Sequence, residues 1–301
     1  MRFILKYLII LTISLSAWSQ TNGGASVQKP KMKHGSLKPK KSINLDPTIK
    51  EGSGLAIWNG KLWTHNDSGK PQLFALDTAN GKLADTYDLP RIKNRDWEEI
   101  SQDHDFFYIG DFGNNAYKAD TLKIFRVDKK SLLQKKPVID SIVFTWPETQ
   151  NRGVQTKLNF DCEAMVVVGD SICLFTKEWK QGRRSRLFTI PKRPGQWLAR
   201  YKTTLETRLL VTGASYDEQS EKLVLCGYNL TLQPYLLVFP KTSGQDFFSQ
   251  PGRKIRVRKR FRQVEGIATA NGTDYFLINE DFNFPLLHTK AQLHRITIAT
   301  D

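Results

Sequence analysis

Acidic residues recur where apolar segments of this 301-residue chain begin, and their chemistry suits the binding of a hard cation. In the segment VEGIA, for example, Glu265 stands beside a glycine at the head of an apolar run. Burying an unpaired carboxylate is costly, so such a position needs a cation, a hydrogen-bond donor or a proton. Carboxylate and amide oxygens are the donors that Ca²⁺ and Mg²⁺ prefer. The recurring acids are Glu51, Glu98, Glu99, Asp161, Glu163 and Glu265.

The acids recur with a period near 50 residues. The intervals along the chain are 47 residues from Glu51 to Glu98, 65 to Glu163, 51 to Ala214 and 51 to Glu265. Two polar insertions lengthen the second interval. Self-similarity at this period, with several short strands in each unit, is typical of a β-propeller.

The units have the composition of blades. Each contains short segments rich in β-branched and aromatic residues, separated by Gly, Asn, Asp and Pro, and only 129–136 has the pattern of a short helix. The last unit is one strand short, and residues 42–49 can supply that strand from the other end of the chain. We therefore predict an all-β fold, a propeller of five four-stranded blades over residues 42–301, closed by an N-terminal strand. Six blades, one of them degenerate and hidden in the insertions, are the alternative.

In a propeller the blades surround a central channel, so the heads of their innermost strands meet at one mouth. The second strand of each unit ends near the same face, in THNDSG, IGDFGNN, FTKEW, CGYN and INEDF. Side chains at these ends can join the recurring acids in one cation site. They add His65, Asn66, Asp67, Asp111 and Glu280 to the candidates.

A structural role is the alternative for these acids. A Glu at the same place in each blade can accept backbone N–H bonds from neighbouring blades, and Arg95 or Lys177 can neutralise two acids without a metal. The aromatic residues beside the acids, Trp97, Trp179 and Phe282, can form the wall of a polar ligand site or pack between blades.

Motifs of other catalytic scaffolds are absent from the sequence, which contains no GxSxG elbow, P-loop or GxGxxG. His288 and His294 are not spaced as zinc ligands. His65, at a strand end near the expected mouth, can act as an acid–base group.

The first residues predict export. MRFILKYLIILTISLSAWSQ combines a positive head, an apolar stretch and small residues before a cut, which is typical of a signal peptide over 1–19. No other stretch approaches the roughly 20 apolar residues of a membrane span. Residues 20–41 are rich in Gly, Ser, Pro and Lys, which predicts a basic flexible linker. We expect a monomer in the periplasm or outside the cell.

Basic residues are unevenly distributed. The formal net charge is +15, and the eight cations of residues 1–41, with no acid there, leave +7 on 42–301. The run RKIRVRKRFR (253–262) is compatible with weak polyanion binding, but charges that protect an exposed edge strand are sufficient to explain it. We expect no nucleic-acid binding, because no aromatic stacking motif accompanies the charge. The three cysteines, Cys162, Cys173 and Cys226, lie in apolar runs and are predicted to be buried thiols.

The segments EGSGLA, HNDSG, NRDWEEI, GDFGNN, DCEA, TGAS and VEGIA, in this order over residues 51–282, resemble motifs of secreted bacterial β-propeller proteins. The resemblance is to the phytase-like esterase group and, more distantly, to the gluconolactonase-like calcium propellers, and it suggests a Gram-negative source. In lactonase-like propellers a Glu of the first blade's EG motif, with Asn and Asp from other blades, holds a divalent cation in the channel. Glu51 matches that Glu, with Asn66 and Asp111 as counterparts, whereas Ser215 stands where an acid is expected.

Two functions remain open from the sequence. The first is a metal-dependent hydrolase of an ester, lactone or phosphate ester. The second is a non-catalytic ligand-binding or scaffold propeller in the periplasm or outside the cell, with a small polar or anionic molecule as the ligand at the mouth. The predicted cation is Ca²⁺ or another divalent ion, with His65 or Glu163 as proton acceptor. The predicted metal ligands are Glu51, Asn66, Asp111 and Glu265, and the further mouth candidates are Asp67, Glu98, Glu99, Asp161 and Glu280.

Overall fold

The computed structural model describes residues 27–115, 119–147, 161–179, 184–240, 244–284 and 287–299. The predicted signal peptide, residues 20–26 of the predicted linker and most of the 147–157 insertion lie outside the described residues. In the described ranges the chain forms strands β1 to β25 and one short helix, α1 (Lys129–Leu133), where a helix was predicted. The Asp128 side chain caps this helix by accepting a hydrogen bond from the backbone N–H of Ser131.

Antiparallel sheets follow one another along the chain as the blades of a propeller. Blade 1 contains β4 (Gly52–Trp58), β5 (Lys61–Asn66), β6 (Gln72–Asp77) and β7 (Leu83–Asp88). Blade 2 contains β8 (Trp97–Gln102), β9 (Phe106–Asp111), β10 (Leu122–Asp128) and β11 (Ile139–Thr145). Blade 3 contains β12 (Asp161–Val168), β13 (Ser171–Lys177), β14 (Arg184–Pro191) and β16 (Arg200–Glu206).

Two further blades complete the ring. Blade 4 contains β17 (Leu210–Asp217), β18 (Lys222–Tyr228), β19 (Pro234–Phe239) and β20 (Gly252–Val257). Blade 5 contains β21 (Val264–Thr269), β22 (Asp274–Asn279), β25 (Gln292–Thr297) and β3 (Lys41–Asn44), and it carries the hairpin of β23 (Phe282–Phe284) and β24 (Leu287–Thr289). The prediction of five blades is therefore confirmed. The first strands of the blades, β4, β8, β12, β17 and β21, contact one another in turn around the channel.

The N-terminal closure is also confirmed. Strand β3 pairs antiparallel with β25, with Ile43 opposite Leu293. The backbone N–H of Leu45 continues the ladder by donating to Ala291 O. The closing strand is shorter than the predicted segment 42–49, because the chain leaves the sheet after Asn44.

The predicted flexible linker is wrong for residues 27–41. Strand β1 (Val27–Gln28) pairs parallel with β16 of blade 3, and β2 (Met32–Leu37) pairs parallel with β20 of blade 4. Met32 and Leu37 pack against the cores beside blade 4, whereas the lysines of the segment remain exposed. The Lys-rich segment thus forms edge strands in this protein. We call residues 27–44 the N-terminal strap.

The chain exchanges a second strand between blades. Two strands, divided at Ala199, occupy residues 195–206, and the first of them, β15 (Gly195–Leu198), pairs parallel with β11 of blade 2. Apolar side chains pack between adjacent blades, and all three cysteines are buried and unpaired, as predicted. Among the described residues, no helix is long and apolar enough to cross a membrane.

Candidate functional site

Each innermost strand carries a β-bulge or register irregularity near its start. The pairing with the second strand shifts between Trp97 and Glu99, and at corresponding places in the other blades. A β-bulge inserts one extra residue into a strand and changes the direction of its side chain. Bulges at the same place in successive blades can therefore direct one side chain per blade toward the channel. These side chains are Ser53, Glu98, Glu163, Thr212 and Glu265.

In two blades, the residue at the position equivalent to Glu265 is not the one expected from the sequence repeat. The counterpart of Glu265 in blade 1 is Ser53, whose hydroxyl donates to Glu98 O at 2.7 Å, and not Glu51. In blade 4 the counterpart is Thr212, which donates to Val264 O, and not Ala214. Of these five side chains, Ser53, Glu98, Glu163 and Glu265 line the channel mouth, whereas Thr212 does not and is held by its bond to the neighbouring strand.

A cavity of about 250 Å³ opens at this mouth. Its lining contains six carboxyl side chains and a single lysine. So dense a set of acids cannot stay fully ionised without bound protons or cations. The lining residues are Ser53, Asp67, Asp96, Glu98, Asn115, Glu163, Lys177, Trp179, Tyr228, Gln263, Glu265 and Glu280.

Three buried acids of blades 2 and 3 are close enough to share one ion, and two of them, Glu98 and Glu163, line the cavity. Oxygen atoms of Glu98, Asp161 and Glu163 all lie within 4.8 Å of one another. Asp161 is only 1% exposed, and its Oδ1 accepts the backbone N–H groups of Asn114 and Cys162 at 2.7 and 2.8 Å. Its Oδ2 is buried and has no hydrogen-bond partner among the residues that the structure describes. The backbone thus holds Oδ1 of Asp161 in place, and Oδ2 can accept a bond from a ligand.

Burial raises the pKa of two acids of this cluster, Asp161 and Glu98. Burial, reinforced by the charge of Glu163, raises the pKa of Asp161 to about 8. Burial raises the pKa of Glu98 well above its usual range, and the charges of Glu163 and Asp96 add to the rise. Acids that are protonated near neutral pH can exchange those protons for a metal ion.

Lys177 neutralises an acid in the cavity, the role that the sequence suggested for it. Its Nζ lies 2.6 and 2.5 Å from the two carboxylate oxygens of Glu163, and both side chains are almost completely buried. The ammonium also lies 5.2 Å from the ring of Trp179. Among the lining residues that the structure describes, one lysine offsets one acid and five further carboxyl side chains have no lysine beside them in the lining.

A second group of acids lies near the rim. Burial and the charge of Glu51 raise the pKa of Asp67 to about 7, and burial and the charge of Asp67 raise that of Glu280 to about 7. Burial raises the pKa of Glu265 well above its usual range despite the opposing effect of Lys177.

Glu99 has a structural role beneath the cavity. Its carboxylate accepts the backbone N–H groups of Ile100 at 3.1 Å and Ala214 at 2.8 Å, and also those of Leu55 and Met165. These donors belong to the innermost strands of blades 1 to 4. Gly54 packs against Glu99 so closely that a Cβ there would lie 2.4 Å from Ile100 N. Glu99 therefore ties the blades together and closes the channel.

Three other predicted site residues, Glu51, Asn66 and Asp111, have structural partners and do not line the cavity. The Asn66 carboxamide is bonded to Glu51 N and Thr48 O. Asp111 accepts the backbone N–H groups of Arg95 and Asp96, and Arg95 also forms the predicted ion pair, at 3.8 Å. These partners fix the loops around the mouth. We therefore no longer assign Glu51, Asn66 or Asp111 as metal ligands.

His65 lies between blades 1 and 2 and does not line the cavity. Its ring is fully buried, makes an edge contact with Trp97 at 5.4 Å, and has its pKa lowered to about 4 by burial. The placement excludes His65 from the acid–base role expected for it. Of the three expected wall aromatics, Trp179 lines the cavity, whereas Trp97 is buried beside His65.

Sequence reasoning missed Asp96, Asn115, Tyr228 and Gln263 among the lining residues. Three of them lie in segments already singled out, NRDWEEI, GDFGNN and CGYN, so a signal was present. Gln263 directly precedes the strand of VEGIA and donates a hydrogen bond to the Tyr228 hydroxyl at 3.3 Å.

Without added cations, we expect the melting temperature to fall as the pH rises from about 6 to about 8. A carboxyl whose pKa is raised by folding stabilises the fold below its unfolded pKa, and that stability is lost as the pH passes its folded pKa. For Asp67 and Glu280 the folded pKa is about 7, and for Asp161 about 8. Thermal unfolding in chelator-treated buffers measures the slope, which Asp161→Asn should reduce. A melting temperature that rises over this range would contradict the assignment.

No family model matches the chain, and no curated protein matches it. Among solved structures the chain is similar to one described as "Crystal Structure of Mitotic Checkpoint Complex", with 9% sequence identity and a TM-score of 0.44. The similarity covers 97% of this chain and 100% of that chain. At this level of similarity, we base no functional argument on the neighbour.

Proposed function

We propose that the mouth of the channel binds a divalent cation, Ca²⁺ in the first instance, and through it a small polar or anionic ligand. The observation that carries the proposal is the buried Oδ2 of Asp161, which has no hydrogen-bond partner in the described part of the chain. Asp161 forms a cluster with Glu98 and Glu163 whose oxygens lie within 4.8 Å of one another. The resemblance to calcium propellers supports the same class of site, with a different set of ligands.

The donor set fits a hard cation. Asp161, Glu98 and Glu163 offer carboxylate oxygens only, and Asp96 and Asn115 add further oxygens to the same cavity. Ca²⁺ takes six to eight oxygen ligands in flexible geometry, about half of which these side chains can provide, with the remainder from water or a ligand. Binding also relieves the repulsion among the buried acids. We therefore expect affinity to rise with pH as the protons leave.

A thermal-shift experiment tests the cation site. At a Ca²⁺ concentration of about 100 times the Kd, binding should stabilise the fold by about 2.7 kcal/mol. For a domain of this size that corresponds to a rise in melting temperature of about 5–10 °C. Asp161→Asn should abolish the rise, whereas Asp170→Asn, an exposed change in the same blade, should retain it. No rise with any divalent cation, or an equal rise in both variants, would contradict the site.

Hydrolysis is the second candidate function, favoured by acids of raised pKa in the cavity. A bound cation would supply a Lewis acid and lower the pKa of a bound water. In that role Glu163 and Glu265 are the proton acceptors that the geometry offers, since burial keeps the pKa of each carboxyl raised. An ester, lactone or phosphate ester is the substrate class.

An activity panel separates the two functions. Calcium-loaded protein is incubated with a nitrophenyl ester, an aliphatic lactone and a nitrophenyl phosphate, and product is followed by absorbance or pH. Hydrolysis predicts turnover that Glu265→Gln reduces at least tenfold while calcium binding persists. Calcium binding with no turnover on the panel would support the non-catalytic ligand-binding propeller.

A further inference from the structure

The cations of β20 are not explained by the protection of a sheet edge. Strand β20 is hydrogen-bonded on both sides, to β19 and to β2, so the expectation of an edge strand over 253–262 is wrong. The edge of blade 4 is β2, in the N-terminal strap. Arg256 and Arg258 are exposed but do not belong to an edge strand, so the protection of a sheet edge does not explain their charge.

The pairing of β2 with β20 builds one basic face from two distant parts of the chain. Ser36 lies opposite Arg256, and His34 lies opposite Lys254. Alternate residues of a strand share a face, about 6.6 Å apart, so Lys254 and Arg256 project together. The backbone N–H of Arg258 donates to Leu37 O at 2.8 Å, which brings Lys38 beside Arg258. We call Lys38, Lys254, Arg256 and Arg258 the basic face.

Three of the four cations of this face are not neutralised by the residues that the structure describes. Lys38, Arg256 and Arg258 form no ion pair among the described residues. Burial lowers the pKa of the adjacent Lys259, and repulsion from Arg262 and Lys38 lowers it further. An external anion would relieve this repulsion.

A groove of about 170 Å³ continues the face between the outer edges of blades 3 and 4. Its walls combine apolar and basic side chains, among them Leu237, Arg208 and Lys254. The acid in the groove, Glu206, is already paired with Lys29 at 2.6 Å and Arg208 at 3.4 Å. A narrow concave surface suits an extended chain better than a flat bilayer.

We propose that the basic face and this groove bind a linear acidic polysaccharide along β2 and β20. Guanidinium groups bind sulfate and carboxylate through paired hydrogen bonds, and the apolar wall can contact sugar rings. The site is separate from the acidic mouth and does not depend on the function proposed there.

The probe is a fluorescent heparin hexasaccharide, with anisotropy measured at 150 mM NaCl on the full chain. Lys38→Gln/Arg256→Gln/Arg258→Gln removes three charges from the basic face. The matched control, Lys82→Gln/Lys130→Gln/Lys136→Gln, removes three exposed charges from blades 1 and 2. We expect at least a tenfold loss of affinity in the first variant and less than a twofold loss in the control.

Other results would overturn the proposal. Equal losses in the two variants would mean attraction by net charge alone, and no binding by the wild type would remove the site. Parallel titrations with phosphatidylglycerol vesicles and a duplex RNA identify the alternative partners. Tighter binding to either of these than to heparin would assign the face to a membrane surface or to nucleic acid instead.

Discussion

Glutamine substitutions at two adjacent positions are expected to change stability in opposite directions. Glu99→Gln should lower the free energy of unfolding by roughly 2–5 kcal/mol, because buried N–H groups left without an acceptor cost about 1–3 kcal/mol each. Glu99 accepts such groups from Ala214 and Ile100, and a carboxamide presents only one acceptor oxygen to them. Burial raises the pKa of Glu99 well above its usual range, and the backbone donors oppose that rise. In either protonation state both carboxyl oxygens can accept a hydrogen bond, whereas the nitrogen of a carboxamide cannot.

Glu98→Gln is the matched control one residue away. Glu98 lines the cavity, and burial with the charges of Glu163 and Asp96 raises its pKa well above the usual range. A neutral side chain removes the cost of ionising this site, so the variant should melt at or above the wild-type temperature at pH 7 without a cation. Denaturant unfolding of the two variants measures both effects. A loss of stability in Glu98→Gln as large as that in Glu99→Gln would contradict the division of roles.

Removal of the N-terminal strap should cause the other large loss of stability. A chain beginning at Leu45 lacks β1, β2 and β3, which pair with blades 3, 4 and 5. The partly buried Met32, Leu37 and Ile43 leave with it. At about 1.5–3 kcal/mol for each fully buried side chain, we expect a loss of at least about 3 kcal/mol. The melting temperature should then fall by about 6–12 °C.

A chain beginning at Val27 is the reference for this truncation. A chain beginning at Lys38 separates the contribution of β3 to stability from that of β1 and β2. The latter retains β3 but loses β1 and β2, so it should melt between the other two. Equal melting temperatures for the chains beginning at Val27 and Leu45 would show that the strap does not close the ring. The change of melting temperature is measured by circular dichroism at a single protein concentration.

The architecture could be predicted because propeller blades repeat locally. The period near 50 residues and the short apolar segments identified the blades, and the missing strand of the last unit identified β3 as its supplement. The strap could not be identified in this way. Its strands pair with residues more than 170 positions away, and a lysine-rich edge strand has the same composition as a linker.

The site was predicted in outline and not in detail. Glu163, Glu265, Glu98, Asp67 and Glu280 do converge on the mouth. The sequence WEEI, however, does not distinguish Glu98, which faces the cavity, from Glu99, which ties the blades. That difference depends on a bulge between Trp97 and Glu99, and a bulge leaves no composition signal.

In the proposed site at the channel mouth, a divalent cation replaces protons on buried carboxyl groups. Isothermal titration of chelator-treated protein with CaCl₂ at pH 7, in two buffers of different ionisation enthalpy, measures stoichiometry and proton release together. The account predicts saturable binding with the release of about one proton or more per calcium ion, because burial keeps the pKa of Asp161 at about 8. It also predicts the loss of that binding in Asp161→Asn. No binding heat in either buffer, or binding unchanged in Asp161→Asn, would contradict it.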